Sequence, residues 1–213
     1  MTPALMTESV SEHSQENLLR AIAHEIRQPL GAIESIAYYL SMVLPLNDGK
    51  HREQLTRVQQ LVEQSNWILS NGLGLGETRA AAPETMDLEE LVTQVIAARP
   101  VSLDPAVECD FAPELPLVRL DPGFGRALIE NILGLFRHLA TETHPTKIRI
   151  LAGATGVELE VATGALGYRS VASLPPGSAL SLDNARRIAM LHGGSCTCSI
   201  DPASGIRVRV MLP

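Results

Sequence analysis

The chain has 213 residues, 45% of them hydrophobic and only 3% aromatic, with a formal net charge of −7. That is room for one large domain or two small ones with a core of Leu, Ile, Val and Ala. The acidic balance argues against a general nucleic-acid or anionic-membrane surface. No apolar run approaches the ~20 residues that span a bilayer, and residues 1–15 lack a signal-peptide pattern. The expectation is a cytoplasmic protein with no membrane contact and no room for a sensor domain ahead of residue 15. Cys109, Cys196 and Cys198 form no disulfide framework. Cys196 and Cys198, one residue apart, share a face if they lie on a strand, and with no second Cys/His pair nearby no metal site is expected.

Residues 1–15 read as a flexible N-terminus. From Asn17 a helical period begins: Leu19, Ile22, Ile26, Leu30, Ile33, Ala37, Leu40 and Leu44 recur at spacings of three and four. Pro29 interrupts the stripe, and because the stripe resumes in phase, a kink or loosening is expected there rather than an end. Pro45, Asn47, Asp48 and Gly49 read as a turn. A second run follows with Leu55, Val58, Val62, Ser65, Leu69 and Leu73. Two amphipathic helices cannot cover both stripes alone, so residues 16–77 are expected to pair with a second copy as a four-helix bundle, a homodimer.

Residues 78–86 read as a linker. Asp87-Leu88-Glu89-Glu90 fits a helix start with acid at the cap and at the third position, running to about Ala98 and stopping at Pro100. Residues 106–111 and 116–120 have strand character. Asp121-Pro122 opens another helix with Leu128, Ile129, Ile132, Leu133 and Phe136 on its apolar side. Residues 146–152 and 157–162 alternate, as a hairpin around Ala154-Thr155-Gly156. Residues 164–178 read as loop, 178–192 as a helix ended by Gly193-Gly194, and 195–200 with 206–212 as a closing hairpin. The fold class is thus α followed by α/β: a helical hairpin, then helices on one face of a mainly antiparallel sheet over residues 87–213.

The chemistry concentrates at residues 24–30, His-Glu-Ile-Arg-Gln-Pro-Leu. On a helix His24 and Gln28 lie one turn apart on the same side, and the apolar stripe of 22, 26 and 30 leaves His24 open to water. An exposed neutral imidazole can attack a phosphoryl group. Glu25 can hold the other ring N–H and fix the tautomer, and Gln28 can position a water for in-line attack. The plain alternative is a surface histidine on a helical hairpin.

This segment resembles the phosphoacceptor box of sensor histidine kinases. Residues 16–76 are similar to the dimerisation and phosphotransfer hairpin of that family, and 87–213 resemble its ATP-binding domain. The resemblance is carried there by Ser181-Leu182-Asp183-Asn184-Ala185-Arg186-Arg187-Ile188-Ala189-Met190-Leu191-His192-Gly193-Gly194 and by the closing Gly205 to Pro213. It implies that His24 takes up phosphate and exchanges it with an aspartate on a response regulator receiver domain.

The second half departs from the family pattern. Asn131 matches the first of two asparagines four residues apart, but Leu135 stands where the second, the magnesium ligand, belongs, and leucine offers a hard cation no oxygen. Thr163 stands in place of the adenine-accepting aspartate, and Ala165, Ala179 and Ser181 in place of glycines that let backbone donors approach phosphates. Residues 168–176 are too short for the usual lid. Three readings follow. The first is a histidine phosphotransferase in a phosphorelay, with no cofactor. The second is a divergent kinase using ATP and Mg2+, with Asn131 as a nucleotide contact. The third is a non-catalytic dimeric pseudokinase that regulates a kinase or receiver. A variant of the first two removes phosphate from a receiver through Gln28.

Overall fold

The computed structural model describes residues 3–45, 49–77, 81–98, 107–137, 139–141, 143–153, 156–164 and 167–213, and the side chains of 3–16 lie outside that description. The expected features at Asn47–Asp48, 78–80, Pro100, Ala154–Thr155 and Ala165 fall outside the described residues. The chain divides into two units, Met1–Arg79 and Ala80–Pro213.

The first unit is the helical hairpin. Helix α1 spans Pro3–Val43 and α2 spans Gly49–Leu75. Thus α1 starts well ahead of the apolar period at Asn17. No proline or glycine stands between Pro3 and Pro29 to stop it, and a proline in the first turn costs no hydrogen bond. The helix also runs on through Pro29. Arg52 closes the end of α1, donating from Nη2 to the Leu44 carbonyl at 2.9 Å. Lower down, Arg27 donates to Ser70 Oγ across the hairpin at 3.0 Å.

Ala23 and Ala37 are buried on α1, while Ile22, Ile26, Ile33 and Leu40 stay exposed. The stripe read from the sequence therefore splits. Residues 23, 30 and 37, seven apart, face inward or are half-buried, and the isoleucines beside them are exposed.

The second unit begins at a strand where a linker was expected. Residues 84–86 form β1 (Glu84–Met86), paired antiparallel with β3 (Val118–Leu120). Three residues are too few to alternate legibly, and the strand exists because β3 offers it a partner. Helix α3 (Leu88–Ala97) follows, its N-cap Asp87 accepting from the N–H groups of Glu89 and Glu90. The main sheet comprises β2 (Val107–Phe111), β4 (Thr146–Ala152), β5 (Val157–Thr163), β6 (Ser195–Asp201) and β7 (Gly205–Leu212), in the order β2-β4-β5-β7-β6. Only the β2–β4 pair is parallel.

Helices α4 (Pro122–Arg137) and α5 (Ser178–Leu191) complete the layer. Ile148, Ile150, Leu159, Val161, Val208 and Val210 point inward from the sheet. They share a core with Leu128, Ile132 and Phe136 of α4 and Leu182, Ala185 and Ile188 of α5, all buried. The Cys196 and Cys198 positions pair with Val210 and Val208, so both thiols lie on this inner face as the spacing implies. Burial pushes the Cys196 thiol up to about 11.

The other face is polar and charge-paired. Asp110, Arg149, Glu160 and Arg209 stand side by side on β2, β4, β5 and β7, with signs alternating. Glu160 accepts from Arg209 at 2.8 Å and lies 3.3 Å from Arg207. Opposite charges directly across strands stabilise a sheet, and alternation avoids the like-charge penalty. Among the described residues no helix is long and apolar enough to cross a membrane, and no cluster of three metal-ligating side chains occurs.

Candidate functional site

His24 sits on the exposed side of α1, one residue beyond the buried Ala23. Its Nε2 lies 3.3 Å from the side-chain nitrogen of Gln28. The helix places the two one turn apart, as the spacing implies. With the amide N–H donating, Nε2 carries the lone pair and Nδ1 the proton. Glu25 does not share this contact: successive helical residues diverge by about 100°, and among the described residues no hydrogen bond joins Glu25 to the ring. In this geometry the ring's partner is Gln28 rather than Glu25. Further down the same side of α1, at helical spacings from His24, stand Ser35, Tyr38 and Met42, with Tyr38 and Met42 each 59% exposed.

Three of the positions that depart from the nucleotide-site pattern, Leu135, Thr163 and Ser181, are occupied by internal contacts, while Ala179 is exposed. Leu135 is fully buried in α4 and part of the core. Ser181 is buried on α5, and its hydroxyl donates to the Asn131 carbonyl at 2.7 Å, tying α5 to α4. A glycine there could make no such bond. Asn131 is buried as well, and its side-chain Nδ2 has no partner among the described residues. Thr163 is buried, and its hydroxyl donates to the His144 carbonyl at 2.9 Å. The His144 ring lies against the next residue, Gly164, so closely that a Cβ there would stand 2.3 Å from Cδ2. The segment that would be a lid instead closes on itself. A single 3-10 turn at Val171–Ser173 is held by the Ser173 hydroxyl, which accepts from the Arg169 and Ser170 N–H groups and donates to the Ser170 carbonyl.

Two buried residues that the sequence reading passed over sit at the head of α4 and the end of α5. Asp121 and His192 are both buried and joined through the Asp121 N–H, which donates to His192 Nε2 at 3.1 Å. The sequence signals were there: a charged residue just before a helix-starting proline, and a histidine between an apolar helix and Gly-Gly.

No protein-family profile matches the chain. Individual proteins do. The sensor protein KdpD of Escherichia coli (strain K12) is 25% identical over 226 aligned residues, covering 96% of this chain and 25% of KdpD. The sensor histidine kinase ZraS of Klebsiella oxytoca is 24% identical, covering 92% of this chain and 46% of ZraS. The chain therefore spans a quarter of the first and just under half of the second. Among solved structures, full-length ShkA, crystallised in complex with AMPPNP, superposes with a TM-score of 0.60 at 19% identity over 92% of this chain and 45% of ShkA. The histidine kinase AdeS of Acinetobacter baumannii gives 0.55 at 14% identity over 89% of this chain and 96% of AdeS. With the helical hairpin followed by a helix-covered mixed sheet, and sensor kinases among its relatives along nearly its whole length, the chain is similar to the cores of sensor histidine kinases.

Proposed function

We propose that this core is a histidine phosphotransferase of a two-component phosphorelay, exchanging phosphate between His24 and receiver aspartates without ATP. One observation carries the reading: the exposed His24–Gln28 pair keeps the phosphoacceptor chemistry, while Leu135, Ser181 and Thr163 are spent on core packing and internal hydrogen bonds. Leu135 is interior, Ser181 bonds α4, and Thr163 bonds the His144 carbonyl. A magnesium-bound nucleotide needs oxygen ligands and free backbone donors; these residues supply neither, so no step is routed through ATP or Mg2+.

In the proposed reaction the unprotonated His24 Nε2 attacks phosphorus of a receiver aspartyl phosphate. The N–P bond forms as the P–O bond to the aspartate breaks, which returns a carboxylate; the proton on Nδ1 stays. Gln28 moves from the nitrogen to a phosphoryl oxygen, and Glu25 offsets the positive charge on the ring. The reverse step loads the next receiver. Tyr38 and Met42 give that receiver an exposed apolar landing below His24. We place the reaction in the cytoplasm, with the hairpin as a homodimer. Ile22, Ile26, Ile33 and Leu40 form a row of exposed large apolar side chains along one side of α1, a surface that soluble monomers seldom leave open.

The second reading, ATP-dependent autophosphorylation of His24 with Asn131 at the nucleotide, is favoured by the kinases among its relatives and by the unpartnered Asn131 amide. The test is a panel of receiver domains phosphorylated with labelled acetyl phosphate. Wild-type protein is expected to gain label from at least one of them and His24→Ala to gain none. Equal labelling of the His24→Ala variant would contradict the proposal.

A further inference from the structure

We infer that Asp121 and His192 form an acid-operated latch holding the first segment of the sheet domain, residues 81–86, onto α4 and α5. The hydrogen bonds set the protonation state without further assumption. The Asp121 N–H can only donate, so His192 Nε2, at 3.1 Å, accepts. The Ile188 carbonyl can only accept, so Nδ1, at 2.8 Å, donates. The imidazole is neutral, with its proton on Nδ1. The carboxylate of Asp121 does the rest: Oδ2 accepts the Ala82 N–H at 2.9 Å and Oδ1 the Phe124 N–H at 3.0 Å. One residue thus ties the chain just after the hairpin, the head of α4 and the end of α5.

Protonation breaks this arrangement. A proton on Nε2 would face the Asp121 N–H, donor against donor. Among the described residues the acid hydrogen-bonded to His192 is Asp121, through its backbone, and both oxygens of its carboxylate are already in use; Pro213 at the chain end packs near Gly193. Turning toward Oδ2 displaces the Ala82 N–H, and β1 is left with only its short pairing to β3.

The surroundings pull both ways. His192 is the C-cap of α5, where the helix dipole favours positive charge, and Asp121 favours it too. Burial opposes it, as does Arg187, whose guanidinium lies 5.5 Å over the Phe124 ring that meets His192 edge-on. The thiols of Cys196 and Cys198 line the inner face of β6, and Glu84 and Arg119 on β1 and β3 are exposed. Imidazoles titrate in the range where such a balance is felt, between about pH 5 and 8.

The test is hydrogen exchange on the full chain at pH 7.5 and 5.5, with protection factors corrected for the pH dependence of exchange chemistry. The wild-type protein should lose about tenfold or more protection over residues 81–86 at the lower pH while β4 and β5 stay unchanged. His192→Gln, which keeps an acceptor and cannot titrate, should show no such loss. Unchanged wild-type protection at 81–86, or an equal loss in His192→Gln, overturns the latch. Should that variant fail to fold, nitrogen NMR of the wild-type imidazoles decides. A titrating His192 that moves the Ala82 and Phe124 amide signals supports the latch. A His192 that titrates without moving them, or stays neutral throughout, refutes it.

Discussion

Leu135→Asn restores the asparagine expected of a magnesium site, and its fate separates a nucleotide pocket from a packed core. Leu135 is fully buried. Losing its side chain to a smaller one costs about 2–5 kcal/mol, and burying an amide without partners adds about 1–3 kcal/mol. One turn away, the Asn131 Nδ2 lacks a partner, so a pair between the two amides returns about 1 kcal/mol. The net loss is about 2–7 kcal/mol. For a unit the size of Ala80–Pro213 each kcal/mol moves Tm by about 4 °C, so the melting point should fall by roughly 8–28 °C. Magnesium and ATP should not recover it. The assay is thermal melting of wild type and variant, with and without the nucleotide. A variant that melts within about 1 kcal/mol of wild type, or one that magnesium-ATP stabilises, would refute the reasoning that this position belongs to the core.

Ile26→Asp, in the middle of the exposed row on α1, is expected to turn the dimer into a monomer at micromolar concentration while leaving the sheet domain folded; light scattering checks the mass, and an unchanged dimer counts against the proposed bundle. Glu160→Ala leaves Arg207 without its carboxylate and Arg209 with Glu158 alone and should destabilise the sheet by about 1–2 kcal/mol in urea, less at high salt; no change would show that the charge row is only solvated. Cys196 titrates near 11 because burial disfavours its thiolate. At pH 8 about one in a thousand of its thiols is ionised, so a thiol reagent should modify the exposed Cys109 first. Because the folded value lies above the ordinary one of 9.0, the unfolded chain sheds its proton first, and this thiol lowers stability as pH rises from about 9 to about 11. Rapid Cys196 labelling in the native protein would contradict the burial.

What the sequence could reveal followed the range of the interaction. The α2 stripe through Leu55, Val58, Val62 and Leu69 shows its helix because packing repeats every turn. Alternation in 146–152 and 157–162 shows strands because one sheet face is apolar and the other carries the charge row. His24 and Gln28 could be paired in advance because a helix fixes their spacing. The strand at 84–86 could not, since Glu-Thr-Met becomes a strand only against Val118–Leu120. Nor could the Ser181–Asn131 and Asp121–His192 bonds, which join residues 50 and 71 positions apart.

The most direct test of the account is a comparison of donors on the full chain: labelled ATP with magnesium in one reaction, and a labelled phosphorylated receiver in the other, each followed by analysis for acid-labile phosphate at His24. Label at His24 from the receiver and none from ATP is the predicted result. Label from ATP with the receiver absent would contradict the claim that this core handles phosphate without a nucleotide.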